Sequence, residues 1–96
     1  SIPGRVESLN DGITQFREVL SVYTREHAPL EFAITSAELA ESLCTLAAHT
    51  NDPKHLKSAE SCFAAALEVY RVKADPEADR VAARLADVRQ HISAAV

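Results

Sequence analysis

The sequence predicts an all-α domain of four antiparallel helices, and three observations carry that prediction. Glycine occurs only at Gly4 and Gly12 in 96 residues. Alanine occurs 17 times. Pro3, Pro29, Pro53 and Pro76 punctuate the chain at intervals of 26, 24 and 23 residues. Strands and hairpins need β-branched runs and glycine turns, which this composition does not supply. Near-regular prolines in an alanine-rich chain instead mark helices of about 20 residues, because proline is accepted at the start of a helix. A hydrophobic share of 47% with 25% charged residues belongs to a globular domain rather than a disordered one.

The opening Ser1 to Arg5 contains a Pro-Gly pair and reads as a loop. The first helix is expected over about 6–26, with Val6, Leu9, Ile13, Phe16, Leu20 and Tyr23 on one face at spacings of 3 and 4. The second helix is expected over about 30–49. It has a large stripe, Phe32, Leu39, Leu43 and Leu46, beside a small one, Ala33, Ala37, Ala40, Cys44 and Ala47. A small-residue face lets a neighbouring helix approach closely. Asp52 followed by Pro53 is an N-cap with proline at the first helical position, and it opens a third helix over about 53–73. Leu56, Ala59, Phe63, Ala66, Leu67 and Tyr70 point that helix inward. Asp75-Pro76-Glu77 repeats the start signal, with Glu77 suited to the positive end of the helix dipole. The fourth helix, over about 76–94, carries Val81, Leu85, Val88 and Ile92.

The bulk numbers exclude several classes. A net charge of −4 disfavours a nucleic-acid partner, since phosphate binding wants a basic face. No apolar run approaches the ~18 residues of a membrane span, and no basic-then-apolar signal peptide is present. Two cysteines are too few for a disulfide scaffold, so Cys44 and Cys62 read as small core thiols in a reducing cytoplasm. No Lys or Arg occurs between Glu26 and Pro53, which leaves the second helix acidic.

The chain also repeats internally. At an offset of 47, Leu9 meets Leu56, Phe16 meets Phe63, Leu20 meets Leu67, Val22 meets Val69, Tyr23 meets Tyr70 and Pro29 meets Pro76. Gly12 meets Ala59. The second and fourth helices align at 46, Leu39-Ala40 on Leu85-Ala86. Two matched aromatics and a matched proline at one offset point to a duplicated helical pair.

The repeat residues resemble a known pattern. Ala59-x3-Phe63-x2-Ala66-Leu67 looks like the second helix of a tetratricopeptide repeat, and Leu39-Ala40 with Leu43 is similar to part of its first helix. On that resemblance the second and third helices form one complete repeat. The first helix, with Gly12-x3-Phe16-x2-Val19-Leu20, ends a preceding repeat, and the fourth begins a following one. The period is about 47 rather than about 34, which suits a longer-repeat bacterial variant. Ser36 or Ala82 stands at the motif's tryptophan position, and Ala40 and Ala86 at its glycine. The implied architecture is a right-handed helix-turn-helix stack, with a plain four-helix bundle as the alternative. The chain then reads as a segment of a larger repeat protein.

Catalytic and metal patterns are weak. No glycine-rich phosphate loop, His-Glu-x-x-His or Cys-x-x-Cys occurs. Cys44, His49, His55 and Cys62 straddle one turn, but their spacings lack a tight ligand pair, and no metal or other cofactor is expected. His55-Leu56-Lys57-Ser58 is similar to the His-x-Leu-Lys-Gly of histidine phosphotransfer modules but one residue short. That puts Lys57 about 200° around the helix from His55. His27 at a helix end and His91 near the C-terminus read as surface residues. The chain is not expected to be an enzyme.

The resemblance implies a scaffold that binds a peptide or partner protein through the first helix of each repeat. The residues expected to face a partner are Glu38, Glu41 and Ser42 on the second helix and Arg80, Arg84 and Gln90 on the fourth. The Lys/Asn carboxylate clamp known in that family does not carry over, because Glu38 and Glu41 stand where bases and amides are needed. A partner with basic residues fits better. The alternative is self-association, a homodimer covering the unfinished outer sides of the first and fourth helices.

Overall fold

A computed structural model describes residues 2–94, and it contains four helices and no strand among them. They are α1 (Ile2–Val22), α2 (Pro29–Thr50), α3 (Pro53–Val72) and α4 (Glu77–Ala94). Ser1, the first residue of the expected opening loop, lies outside the described residues. The rest of that loop is instead the first turn of α1, because a proline so close to a helix start gives up no intrahelical hydrogen bond.

The far end of α1 also differs from expectation. The helix stops at Val22 rather than near Glu26, and Tyr23 lies beyond it, exposed rather than inward. Residues 23–28 form a turn in which Ala28 N–H donates to Thr24 O (2.9 Å) and His27 N–H to Thr24 Oγ1 (3.2 Å). Proline disfavours helical geometry in the residue before it, and Ala28 accordingly has φ −142°. The other three helices begin and end within a residue of the expected bounds.

Both Asp-Pro signals cap as the sequence suggests. Asp52 Oδ1 accepts from Lys54 N–H at 3.0 Å and Asp75 Oδ1 from Glu77 N–H at 2.9 Å. With glycine absent beyond Gly12, the left-handed turn positions fall to Asn51 (φ 55°) and Ala74 (φ 52°). At the end of α3, Asp75 N–H reaches Tyr70 O and Ala74 N–H reaches Arg71 O, the paired bonds of a Schellman motif. Asparagine tolerates that geometry, whereas alanine holds it against its own Cβ.

Packing runs in series. α2 packs on α1 and α3, and α3 on α2 and α4, while the two outer helices share no packed interface. The chain is therefore an open stack rather than a closed four-helix ring. It measures 39 × 29 × 18 Å, and its thin dimension is under two helix diameters. The core is alanine-rich and centred on α3, where Ala59, Phe63 and Ala66 are fully buried against Ala33, Ala40, Leu43 and Val81. Every residue of α2's small stripe is buried except half-buried Cys44, and this helix makes the most extensive contact in the fold, with α3. Leu56 and Ile92, expected inward, are half-buried at the rim.

Burial is uneven between the two halves of the repeat. Among the α1 residues whose burial is described, Ile13 alone is fully buried, while Val6, Leu9, Phe16 and Leu20 are half-buried. The repeat partners Val22 and Val69 differ most, one largely exposed and the other buried. α4 exposes no large hydrophobic side chain among the described residues, and its outer side carries Asp79, Ala83 and Ala86. The expectation that both outer helices leave apolar faces bare thus holds for α1 alone.

Two substitutions test the backbone reading. A Cβ on Gly12 would meet nothing within 4 Å, so Gly12→Ala should stabilise the fold by about 0.5–1 kcal/mol through helix propensity. Ala74→Gly should stabilise it by about 1 kcal/mol by relieving the left-handed alanine. Urea unfolding followed by circular dichroism reads both, and a loss of stability in either would contradict the assigned geometry.

Candidate functional site

α2 and α4 both pack on α3, and among the described residues an ion-pair cluster centred on Arg84 joins them across it. The Arg84 guanidinium donates to Glu41 twice, Nε to Oε2 at 2.9 Å and Nη2 to Oε1 at 2.8 Å. Its Nη1 donates to Asp87 Oδ2 at 2.7 Å. The same guanidinium lies 5.6 Å from the centre of the buried Phe63 ring, so the cation also sits on an aromatic face. Hydrogen bonding to Glu41 pushes the Arg84 pKa well above the usual arginine range. Glu41 and Arg84, both expected to meet a partner, therefore meet each other.

On one side of this bridge an open groove of about 620 Å³ brings Glu38, Glu41, Ser42 and Arg80 together with Phe16, Ile34 and Tyr70. Four of the six expected partner-facing residues thus share one concavity. Gln90 is exposed and is not among its lining residues. Arg80 Nε is held by Glu77 Oε2 at 2.6 Å, and that hydrogen bond raises its pKa. Glu38 and Glu31 have no ion-pair partner among the described residues. Tyr70 is almost completely buried at the groove floor, and desolvation first, then Glu77 and Asp75, push its phenol pKa up.

On the other side, a cavity of about 630 Å³ lies under the α2–α3 turn and is lined by Cys44, Ala48, Leu56, Asp87 and His91. Cys44 and Cys62 are both free and half-buried. Cys44 neighbours Arg84 and Cys62 neighbours Arg17, so the two thiols look toward different helices. His49 is exposed in the last turn of α2, and His55 lies in the first turn of α3, 4.0 Å from Asp52. No three His, Cys, Asp or Glu side chains converge as metal ligands among the described residues. His91 Nδ1 donates to Asp87 O at 2.8 Å and is exposed, as is His27.

Phe16, Ile34 and Tyr70 belong to the groove, although none reads as a site residue in the sequence. The two aromatics carry the repeat and pass as core. Ile34 did leave a signal, since it is a large apolar residue outside both apolar stripes of the second helix, set between Glu31 and Glu38. No described helix is long and apolar enough to cross a membrane. Compared with protein-family models, curated proteins and solved structures, the chain matches none.

The bridge and the thiols each give a measurable outcome. A double-mutant cycle on Glu41→Gln and Arg84→Gln should return a coupling of about 0.5–1 kcal/mol, reduced at 1 M salt because both groups are partly open to water. Zero coupling would leave the bridge with no role in joining α2 to α4. Burial raises both thiol pKa values, so less thiolate is present at neutral pH than in a free cysteine. Iodoacetamide should therefore label the folded chain slowly at pH 7.5 and faster above pH 9, with unfolded chain labelled rapidly at both. Rapid labelling of the native chain at pH 7.5 would show that the thiols are not desolvated.

Proposed function

We propose that this chain is a non-enzymatic protein–protein interaction scaffold of the tetratricopeptide type, in a longer-period bacterial variant. It takes a peptide or partner protein on the face shared by α2 and α4. The observation that carries the reading is the groove itself. Residues from all four helices line one concavity that includes the aromatic rings of Phe16 and Tyr70 and the carboxylate of Glu38, which has no ion-pair partner among the described residues. Apolar anchors ringed by polar groups are the anatomy of a protein-binding surface. The stacking of consecutive helices and the 47-residue repeat support the family reading, and the two free thiols suit a reducing cytoplasm.

The groove favours a basic partner. On α2, Glu31 and Glu38 are exposed and have no counter-ion among the described residues, and no Lys or Arg occurs anywhere on that helix. A partner lysine or arginine can lay its stem on Ile34 and Phe16 and its head at Glu38. Glu41 is committed to Arg84 and contributes only its outer edge.

Selection of binders from a random-peptide display library tests this. Enriched peptides should combine an apolar residue with Lys or Arg, and their affinity should fall at least tenfold for Glu38→Lys and for Ile34→Asp, each confirmed folded by circular dichroism. Binders without basic residues, or with affinity unchanged by both variants, would remove the proposal.

A further inference from the structure

The repeat shows which neighbour α1 lacks. One stripe of α3, Ala59, Phe63, Ala66 and Tyr70, is 0, 0, 0 and 3% exposed. Its counterparts at the 47-residue offset are Gly12, Phe16, Val19 and Tyr23. Gly12 and Phe16 are half-buried, and Val19 and Tyr23 are 37% and 43% exposed. Tyr23 opens partly because α1 ends one residue earlier, but Gly12, Phe16 and Val19 lie well inside their helix. α3 is packed between α2 and α4, whereas α1 has α2 alone. Because α4 is the counterpart of α2, the contact of α1 with α2 corresponds to that of α3 with α4. The absent contact is the counterpart of α2 on α3, which uses a stripe of alanines.

The charges define the occupant further. Over α3, Arg84 of α4 covers the Phe63 ring and takes Glu41 of α2. At the 46-residue offset the counterpart of Arg84 is Glu38, which lines the open groove beside Phe16, the counterpart of Phe63. The roles are exchanged at this second place. α2 supplies the carboxylate, so the newcomer must bring the cation. A second copy stacked through its α4 would bring Asp87, the counterpart of Glu41, against Glu38, and like charges across a contact cost affinity. That copy would also bury Asp79 and Arg89 where α2 has Ala33 and Leu43. A copy stacked through its α4 does not fit.

We infer that the open flank formed by α1 and α2 docks an arginine-bearing amphipathic helix of another protein. Its small-residue stripe lies on Gly12 and Val19, and its guanidinium rests on Phe16 and pairs with Glu38. The inference rests on the scaffold reading and narrows it to a helical partner in a defined register. Gly12 admits the close approach, since no atom outside its own stretch of helix lies within 4 Å of where its Cβ would be.

The probe is a synthetic peptide of residues 29–50 with Glu41→Arg, stapled on its outer face and shown helical by circular dichroism. It should bind the full chain saturably in fluorescence anisotropy. Glu38→Arg or Val19→Arg in the chain should weaken it at least tenfold. Glu38→Arg should also reverse the preference, so that the stapled peptide retaining Glu41 becomes the tighter ligand. Absence of saturation with either peptide, or affinity indifferent to Glu38→Arg, would overturn the inference. A dimer in sedimentation equilibrium that Val19→Arg abolishes would also overturn it, by placing a second copy on the flank. If library peptides still lose affinity with Glu38→Lys while the stapled helices fail, the scaffold reading stands and this inference alone falls.

Discussion

Phe63 is the point on which the other elements depend. It lies halfway along α3, fully buried, with the Arg84 guanidinium over its ring and Glu41 holding that guanidinium from α2. Burying a phenylalanine contributes roughly 1.5–3 kcal/mol, a large part of the margin of a chain this short. The ring supports more than itself. It gives α2 and α4 a common surface to close on, and it seats the Arg84 cation that ties them across α3. A second tie, from Arg89 to Glu60 at 3.0 Å, fixes α4 along α3. At the opposite end of α3, Arg25 reaches Glu68 from the α1–α2 turn and lies 5.9 Å from the Phe32 ring. Each long-range ion pair thus spans between elements that α3 holds apart or together.

The turns show how a chain almost without glycine ends its helices. Aspartate and proline open α3 and α4 by supplying an acceptor for the first free N–H and removing another donor. Closing a helix normally asks for glycine, and here Asn51 and Ala74 take the left-handed positions. Ala74 pays a steric cost that the Schellman bonds offset. The α1–α2 turn uses neither device. It relies on Thr24 and on the restriction that Pro29 places on Ala28, which is why α1 ends earlier than its apolar spacing suggests.

The two halves of the repeat have different surroundings despite their shared pattern, and that difference creates the groove. α3 is covered on two sides and shows water almost none of its apolar stripe. α1 is covered on one, so Phe16 and Val19 remain open beside Ile34 and Glu38. α4 avoids the same exposure by chemistry, with charge and alanine where α2 has leucine and alanine. Among the described residues, α4 therefore presents charge and alanine on its outer side, whereas α1 presents apolar residues.

By itself the sequence determined the four helices, three of their starts, both aspartate caps, the alanine stripe and the repeat. All of these are local or periodic properties, set by backbone geometry and side-chain spacing within one element. Four of the residues expected to face a partner also share one groove, because they lie on the polar sides of helices that the repeat makes equivalent. The tertiary structure alone decided that Glu41 and Arg84 neutralise each other, that Phe16 and Ile34 line the groove, and that α1 rather than α4 is bare. Whether a charge is paired or an aromatic ring is covered depends on which helices lie beside it. Spacing along one chain segment carries the direction of a side chain but not the presence of its neighbour.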